Sequence, residues 1–405
     1  MTRSPCSPAS EVTWRHWSNL TILALGMFVL GTGEFAVVGM AVPIAAFLQV
    51  DAVQVGYLNS AFAAAMVVGA PLSALVCRRL RDVQCVIAAA VSYAVINLAT
   101  ALSDTLAILM LLRIMAGLAT SFYCVTVLSY VVTSTPQQFR GRAMALLLSG
   151  FTVSNVIGVP MASLVSVVAS WQTVFVSLGL LSIAVAVLAG CLVQWSDRQP
   201  PSTAAAGRRL TRELRSMATR PILLILTVSV LFQASVFGVF SYITVLLTDV
   251  TGLTGEVIAA ELFAYGVGTA VGLVIGGWAS DRAPWAALVA GIACATICMI
   301  ALGFALPTPV VALPLLVVQG LVVFFAAAPI NERVVTMAAE APTLAAGANT
   351  AALNTGNTLG PFIIGIVLTS GIPLPWVPII GACGLFAATL VCVYAWRTSV
   401  GASVN

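Results

Sequence analysis

Apolar stretches of about 20 residues follow one another through the whole chain, near positions 20–44, 53–76, 83–102, 106–132, 143–168, 173–195, 222–248, 256–279, 285–305, 310–337, 346–369 and 375–396, and each can cross the roughly 30 Å of hydrocarbon in a bilayer. Strands of a membrane barrel need only about 9–11 residues and alternate apolar with polar, which these runs do not. The expected fold is therefore all-α, a polytopic membrane protein with twelve transmembrane helices. Composition leads the same way: 60% of the 405 residues are hydrophobic and 7% are charged, against about 25% charged in soluble domains. Too little polar surface exists to face water, so most of the outside must face lipid. The first run exceeds the apolar core of a cleaved signal peptide and is followed by eleven more, so it reads as a span.

Charge placement orients the chain. All 17 basic residues are arginine. Counted from a cytoplasmic start, Arg3, Arg15, Arg78, Arg79, Arg81, Arg140, Arg142, Arg198, Arg208, Arg209, Arg212, Arg215, Arg220, Arg282, Arg333 and Arg397 all fall on one side. The opposite loops hold Asp51, Asp104 and Asp249. Such asymmetry places arginine-rich loops and both termini in the cytoplasm; the net charge of +4 reports topology and implies no nucleic-acid partner. The segment "WSDRQPPSTAAAGRRLTRELRSMATRP" breaks the apolar pattern near mid-chain. It reads as a cytoplasmic linker, 196–220, between six-helix bundles at 1–195 and 221–405.

The two bundles read as copies. "NVIGVP" in the fifth run, from Asn155, returns as "NTLGPF" in the eleventh, from Asn357, at an offset of 202 residues. "SALVCRRLRD" after the second run returns as "GWASDRAPWA" after the eighth, at an offset of 204. Parallel repeats with a site at their midplane interface are a transporter arrangement. On these residues the chain resembles the major facilitator superfamily, in its drug/proton antiporter branch that includes sugar-efflux (arabinose-efflux-like) permeases. "GTGEF" (31–35) is similar to the first-helix signature of that branch, "SGFTVSNVIGVP" (149–160) to its fifth-helix antiporter motif, and "LNTGNTLGP" (353–361) to the matching eleventh-helix stretch. "GWASDR" resembles the loop signature that latches the two halves in that family. The resemblance thus implies conformational roles for Asp281 and Arg282. In the first half Ser73, Cys77 and Leu80 replace the glycine, aspartate and second glycine of the pattern, so only Arg78 and Arg81 remain to act there. Gly158 with Pro160, and Gly360 with Pro361, are expected to bend the fifth and eleventh helices at the seam between halves and limit proton leak.

Glu34 interrupts an otherwise uncharged apolar stretch between His16 and Asp51, and Arg113 is the one arginine deep inside a run, Arg333 lying at the cytoplasmic end of the tenth. Helical rise puts Glu34 about 21 Å into the first span and Arg113 about 10 Å below the outer surface of the fourth. In a core about 30 Å thick the two share one level. A buried ion pair that fixes helix packing is one reading. The other is transport: burial favours the protonated carboxyl and a neighbouring guanidinium the ionised one, so a pair that opens and closes moves a proton. Glu261, about 8 Å below the same surface, is a second proton-coupling or substrate-contact candidate, the alternative being a water-facing side chain. Glu256 reads as a solvated charge favourable to the helix dipole.

Uncharged polar groups at middle depth, Asn155, Gln233, Gln319, Asn354 and Asn357, with Tyr123 and Tyr242, form the expected substrate site. Amides both donate and accept, which suits a neutral hydroxylated or heterocyclic ligand; the alternative for each is an interhelical hydrogen bond. Gly268, Gly272 and Gly276 repeat every four residues and read as helix packing, not a nucleotide loop. Scattered cysteines, Cys294 and Cys298 included, imply packing, with neither disulfide nor metal, and His16 reads as a solvated terminal imidazole. The expected function is proton-coupled efflux of a small organic solute such as a sugar or drug-like compound, without cofactor or enzymatic activity, driven by the proton motive force. The alternative is a proton-coupled importer or facilitator of a small metabolite on the same fold. The expected setting is the bacterial inner membrane, multi-pass and monomeric, with substrate, protons and lipid as partners.

Overall fold

In the computed structural model, which describes residues 14–77, 80–193, 195, 219–338 and 342–402, the fold consists of twelve membrane-crossing helices. The first six are α1 (Trp14–Leu48), α2 (Ala52–Val76), α3 (Asp82–Ala101), α4 (Leu106–Ser134), α5 (Gln137–Val168) and α6 (Trp171–Cys191). The second six are α7 (Arg220–Asp249), α8 (Gly255–Arg282), α9 (Pro284–Ala305), α10 (Pro309–Met337), α11 (Pro342–Thr369) and α12 (Val377–Ala402). Their residues are apolar around most of the circumference, as lipid on one side and protein on the other require. Asp51, Thr105 and Ser170 begin α2, α4 and α6, where each side chain accepts a backbone N–H of the first turn.

Successive helices alternate in direction. The end of the bundle where α1 begins and α12 finishes, termed the near end, carries Arg15, Arg81, Arg140, Arg142, Arg220, Arg282, Arg333 and Arg397. The far end carries Asp51, Asp104 and Asp249. Arg3, Arg78, Arg79, Arg198, Arg208, Arg209, Arg212 and Arg215 lie outside the described residues, as does nearly all of the 196–220 segment. One hydrophobic core is built mainly from α1–α6 and a second mainly from α7–α12, with Val245 joining the first and Val38, Val53 and Val159 the second.

The repeat reappears in the packing. Gly117 of α4 lies against the backbone of Phe62 in α2, and Gly320 of α10 lies against Tyr265 in α8, both members displaced by 203 positions. Gly158 of α5 lies on Thr32 of α1, and Gly360 of α11 on Ala234 of α7, both displaced by 202. Gly268, Gly272 and Gly276 face the backbone of α10 at Val317, Leu321 and Phe325, which accounts for their four-residue spacing.

The halves meet through α2 with α11 and α5 with α8. A set of cross-half hydrogen bonds and ring contacts lies in the far half of the bundle. Thr244 donates to Val38 O at 2.8 Å, and Tyr242 spans Pro361 O at 2.9 Å and Val53 O at 3.4 Å. Phe35 meets Phe237 edge to face, and Tyr57 meets Phe362.

Candidate functional site

The sequence "GTGEF" gives α1 small residues on several sides, and each side receives a different helix. At Gly31 the space is taken by Phe151 and Ser154 of α5, at Gly33 by the Tyr93 hydroxyl of α3, and at Gly26 by Tyr123 of α4. This close approach lets Arg113 of α4 reach the main chain of α1. Its two terminal nitrogens donate to Gly33 O at 2.7 Å and Glu34 O at 2.8 Å, while Phe62 of α2 lies under the guanidinium at 4.5 Å. Glu34 and Arg113 are buried, with exposures of 6% and 1%. The depth argument therefore brings the right residues together, but the contact differs from a carboxylate–guanidinium pair. The arginine grips the helix backbone, and its Nε–H has no partner among the described residues. The carboxyl stays next to a cation without being locked to it.

Glu261 is buried in α8 and one of its carboxyl oxygens lacks a partner, which corrects the water-facing alternative. It falls on the stripe with Tyr265, Gly268 and Gly272 that packs on α10, so the neighbouring helix covers it. Glu256 is exposed in the first turn of α8. Gln319 of α10 is buried with both amide atoms unpartnered. Gln233 donates to Asn357 at 2.7 Å, joining α7 to α11, and both Asn155 and Asn354 bond to carbonyls one turn earlier in their own helices. Asn155 and Gln233 are only half-buried.

Tyr123 and Tyr242 depart from the expected substrate site. Both are fully buried. Tyr123 donates to Leu23 O at 3.1 Å inside the first core, and Tyr242 bridges the far-end seam. Gly26 and Gly56 leave room for their rings, so each aromatic is committed to helix packing. His16 also departs from its expected place: α1 starts earlier than the apolar run, and the imidazole pairs with Thr135 at 3.1 Å.

The fifth-helix motif forms one turn of π-helix, Ser154–Gly158, within α5. Pro160 has no N–H to return to Val156 O, and the wider turn lets Val159 N–H bond back to Ser154 O. The Asn155 and Val156 carbonyls then lie beside Gly266 of α8, whose missing side chain permits the contact between halves. Of the loop residues, Arg78 is outside the described set, Arg81 precedes the first turn of α3, and Asp281 and Arg282 are exposed. Arg282 stacks on Trp278 and donates to its carbonyl.

Several polar residues escaped the sequence reading. Ser229 of α7 donates to Asn349 of α11, which donates to Asn331 of α10, and Ser280 pairs with Glu332. Asn59 of α2 is buried beside Phe62. An amide inside an apolar run was the available signal for the asparagines.

The sequence profile described as Major Facilitator Superfamily matches residues 23–364. A chloramphenicol resistance protein of Streptomyces lividans is 31% identical over 94% of this chain and 96% of its own length. The inner membrane transport protein YdhP of Escherichia coli K12 is 29% identical over 90% of this chain and 92% of its own. A bacterial homologue of the human lysosomal transporter Spinster, solved in an inward-facing and occupied conformation, superposes with a TM-score of 0.76 at 16% identity. That match covers 95% of this chain and 97% of the other.

Proposed function

The chain belongs to the major facilitator superfamily, and from that premise we propose that this transporter exports a small organic solute in exchange for protons. The observation that carries the reading is the isolated acid and base at one level of the first core: Glu34 and Arg113 are buried, adjacent and not joined side chain to side chain. Ionisable groups are expensive in a bilayer and mark proton paths. In the proposed cycle Glu34 takes up a proton from the outer side, and the cavity turns over. Glu34 then releases the proton to the cytoplasm, with the charge of Arg113 favouring its departure. An inward proton gains about 2.3 kcal/mol per 100 mV of membrane potential.

The arginine distribution supports a cytoplasmic near end. The cross-half contacts at the far end support a conformation that faces the cytoplasm, ready to load an outgoing solute. Half-buried Asn155 and Gln233, with Asn354, Asn357 and Gln319, supply amides for a weakly polar ligand, and Glu261 is a second proton site on α8. The loop residues Asp281, Arg282, Arg78 and Arg81 act as the near-end latch, and Gly158, Pro160, Gly360 and Pro361 shape the seam. The resistance named for the Streptomyces relative supports a drug-like substrate.

The test is accumulation in an expressing bacterial strain. Chloramphenicol, sugars and nucleosides are offered in turn, with and without a protonophore. The reading expects at least one compound to accumulate less than in the empty strain, and the difference to vanish with protonophore. Normal extrusion after the proton gradient has collapsed would overturn it.

A further inference from the structure

Asn59 of α2 is 2% exposed, and neither its Oδ1 nor its Nδ2 has a partner among the described residues. A buried amide without hydrogen bonds costs about 1–3 kcal/mol, so its retention in a mostly apolar helix needs a reason. Its neighbours supply one. Asn59 lies one turn before Phe62 on the face of α2 that packs on α4, and Arg113 lies one turn before Gly117, the glycine against Phe62. Phe62 itself touches the guanidinium. The two helices run parallel, so Asn59 and Arg113 occupy the same layer, where the Arg113 Nε–H is also unpartnered.

The second half provides an internal comparison. Displacing α2 and α4 by the 203 positions that relate their glycine contacts puts Leu262 at the place of Asn59 and Leu316 at that of Arg113. Displacing α1 by its 202 positions puts Val236 at the place of Glu34. All three of these equivalents are buried and belong to the second hydrophobic core. One architecture therefore holds Glu-Asn-Arg in the first half and Val-Leu-Leu in the second. Asn59 is polar where its neighbours are charged, and its counterpart is apolar where theirs are apolar.

We propose that Asn59 is a positioning residue of the proton site, its amide bridging Arg113 and Glu34. In the bridged arrangement, which the present conformation does not hold, Oδ1 accepts the Arg113 Nε–H and Nδ2–H donates to the Glu34 carboxyl. An amide can do both at once, which neither an apolar side chain nor a second charge can. The bridge links two groups that do not pair directly, so a proton arriving on Glu34 is communicated to the guanidinium that holds α1. This rests on the proton-carrier reading of Glu34.

The test is acid-minus-alkaline infrared difference spectroscopy of the purified protein, which needs no substrate. The carboxyl band that disappears in Glu34→Gln is assigned to Glu34. In Asn59→Leu that band is expected at higher wavenumber, because the carboxyl has lost a hydrogen-bond donor, and Asn59→Gln is expected to return it toward the wild-type position. Leucine occupies the equivalent place in the second half, so Asn59→Leu is expected to fold, with a melting temperature within a few degrees of wild type. An unmoved band in Asn59→Leu overturns the bridge while leaving Glu34 as the carrier. If Glu34→Gln removes no band, the carrier reading fails and the bridge fails with it.

Discussion

Replacing Gly266 with alanine places a methyl carbon in the seam between the halves, 2.7 Å from Val156 Cα, 3.1 Å from Val156 O and 3.2 Å from Asn155 O. Ordinary carbon–carbon contacts lie at about 3.5–4.0 Å, so the helices must separate by roughly 1 Å. The obstructing atoms are main chain, held by the π-turn of α5, and cannot rotate aside. Overpacking of this kind costs about 1–3 kcal/mol. The cost applies only while the far end is closed, so the opening equilibrium should move about 5–150-fold toward the far-open state. The assay is pulsed electron resonance between one spin label on the α1–α2 turn and another on the α7–α8 turn, in a background freed of native cysteines. Gly277→Ala is the control, since a methyl there meets nothing within 4 Å although it sits in the same helix. A lengthened distance distribution in Gly266→Ala, with Gly277→Ala like wild type, is the expected result. If the two variants give the same distribution, the far-end contact does not control closure.

Tyr242→Phe removes the hydroxyl that bridges Pro361 and Val53; a loss of about 1 kcal/mol should move the same distribution toward far-open by roughly fivefold. Arg113→Lys keeps the charge but loses the two-pronged grip on Gly33 and Glu34 carbonyls and the planar stack on Phe62. It should destabilise the protein by about 2 kcal/mol in detergent unfolding, against no measurable change for the exposed Arg142→Lys. Asn357→Leu deprives Gln233 of its partner and should raise KM for whichever compound the accumulation panel identifies, by about fivefold for an amide contact worth 1 kcal/mol, with membrane insertion unchanged.

The spans were legible because lipid imposes one rule on every crossing segment: enough apolar residues to traverse it. The Glu34–Arg113 neighbourhood was legible for a related reason, since helical rise converts sequence position into depth and two isolated charges leave few pairings. Direction around a helix axis was not legible in the same way. Tyr123 and Tyr242 have suitable depths, but Gly26 and Gly56 draw their rings into helix contacts. Glu261 is near the far end yet covered, because it shares the stripe that packs α8 on α10. The grip of Arg113 on main-chain carbonyls depends on the small residues of α1 bringing α4 close, a three-dimensional consequence of "GTGEF". The repeat, faint in two short motifs, becomes plain when glycines and their partners are compared helix pair by helix pair.

The most direct measurement is proton movement across proteoliposomes carrying a pH-sensitive dye, driven by a gradient of the compound that the panel shows to be exported. Wild-type protein should move protons against the solute flow, and Glu34→Gln should still exchange the solute while moving none. Solute-driven proton movement at the wild-type rate in Glu34→Gln would contradict the account.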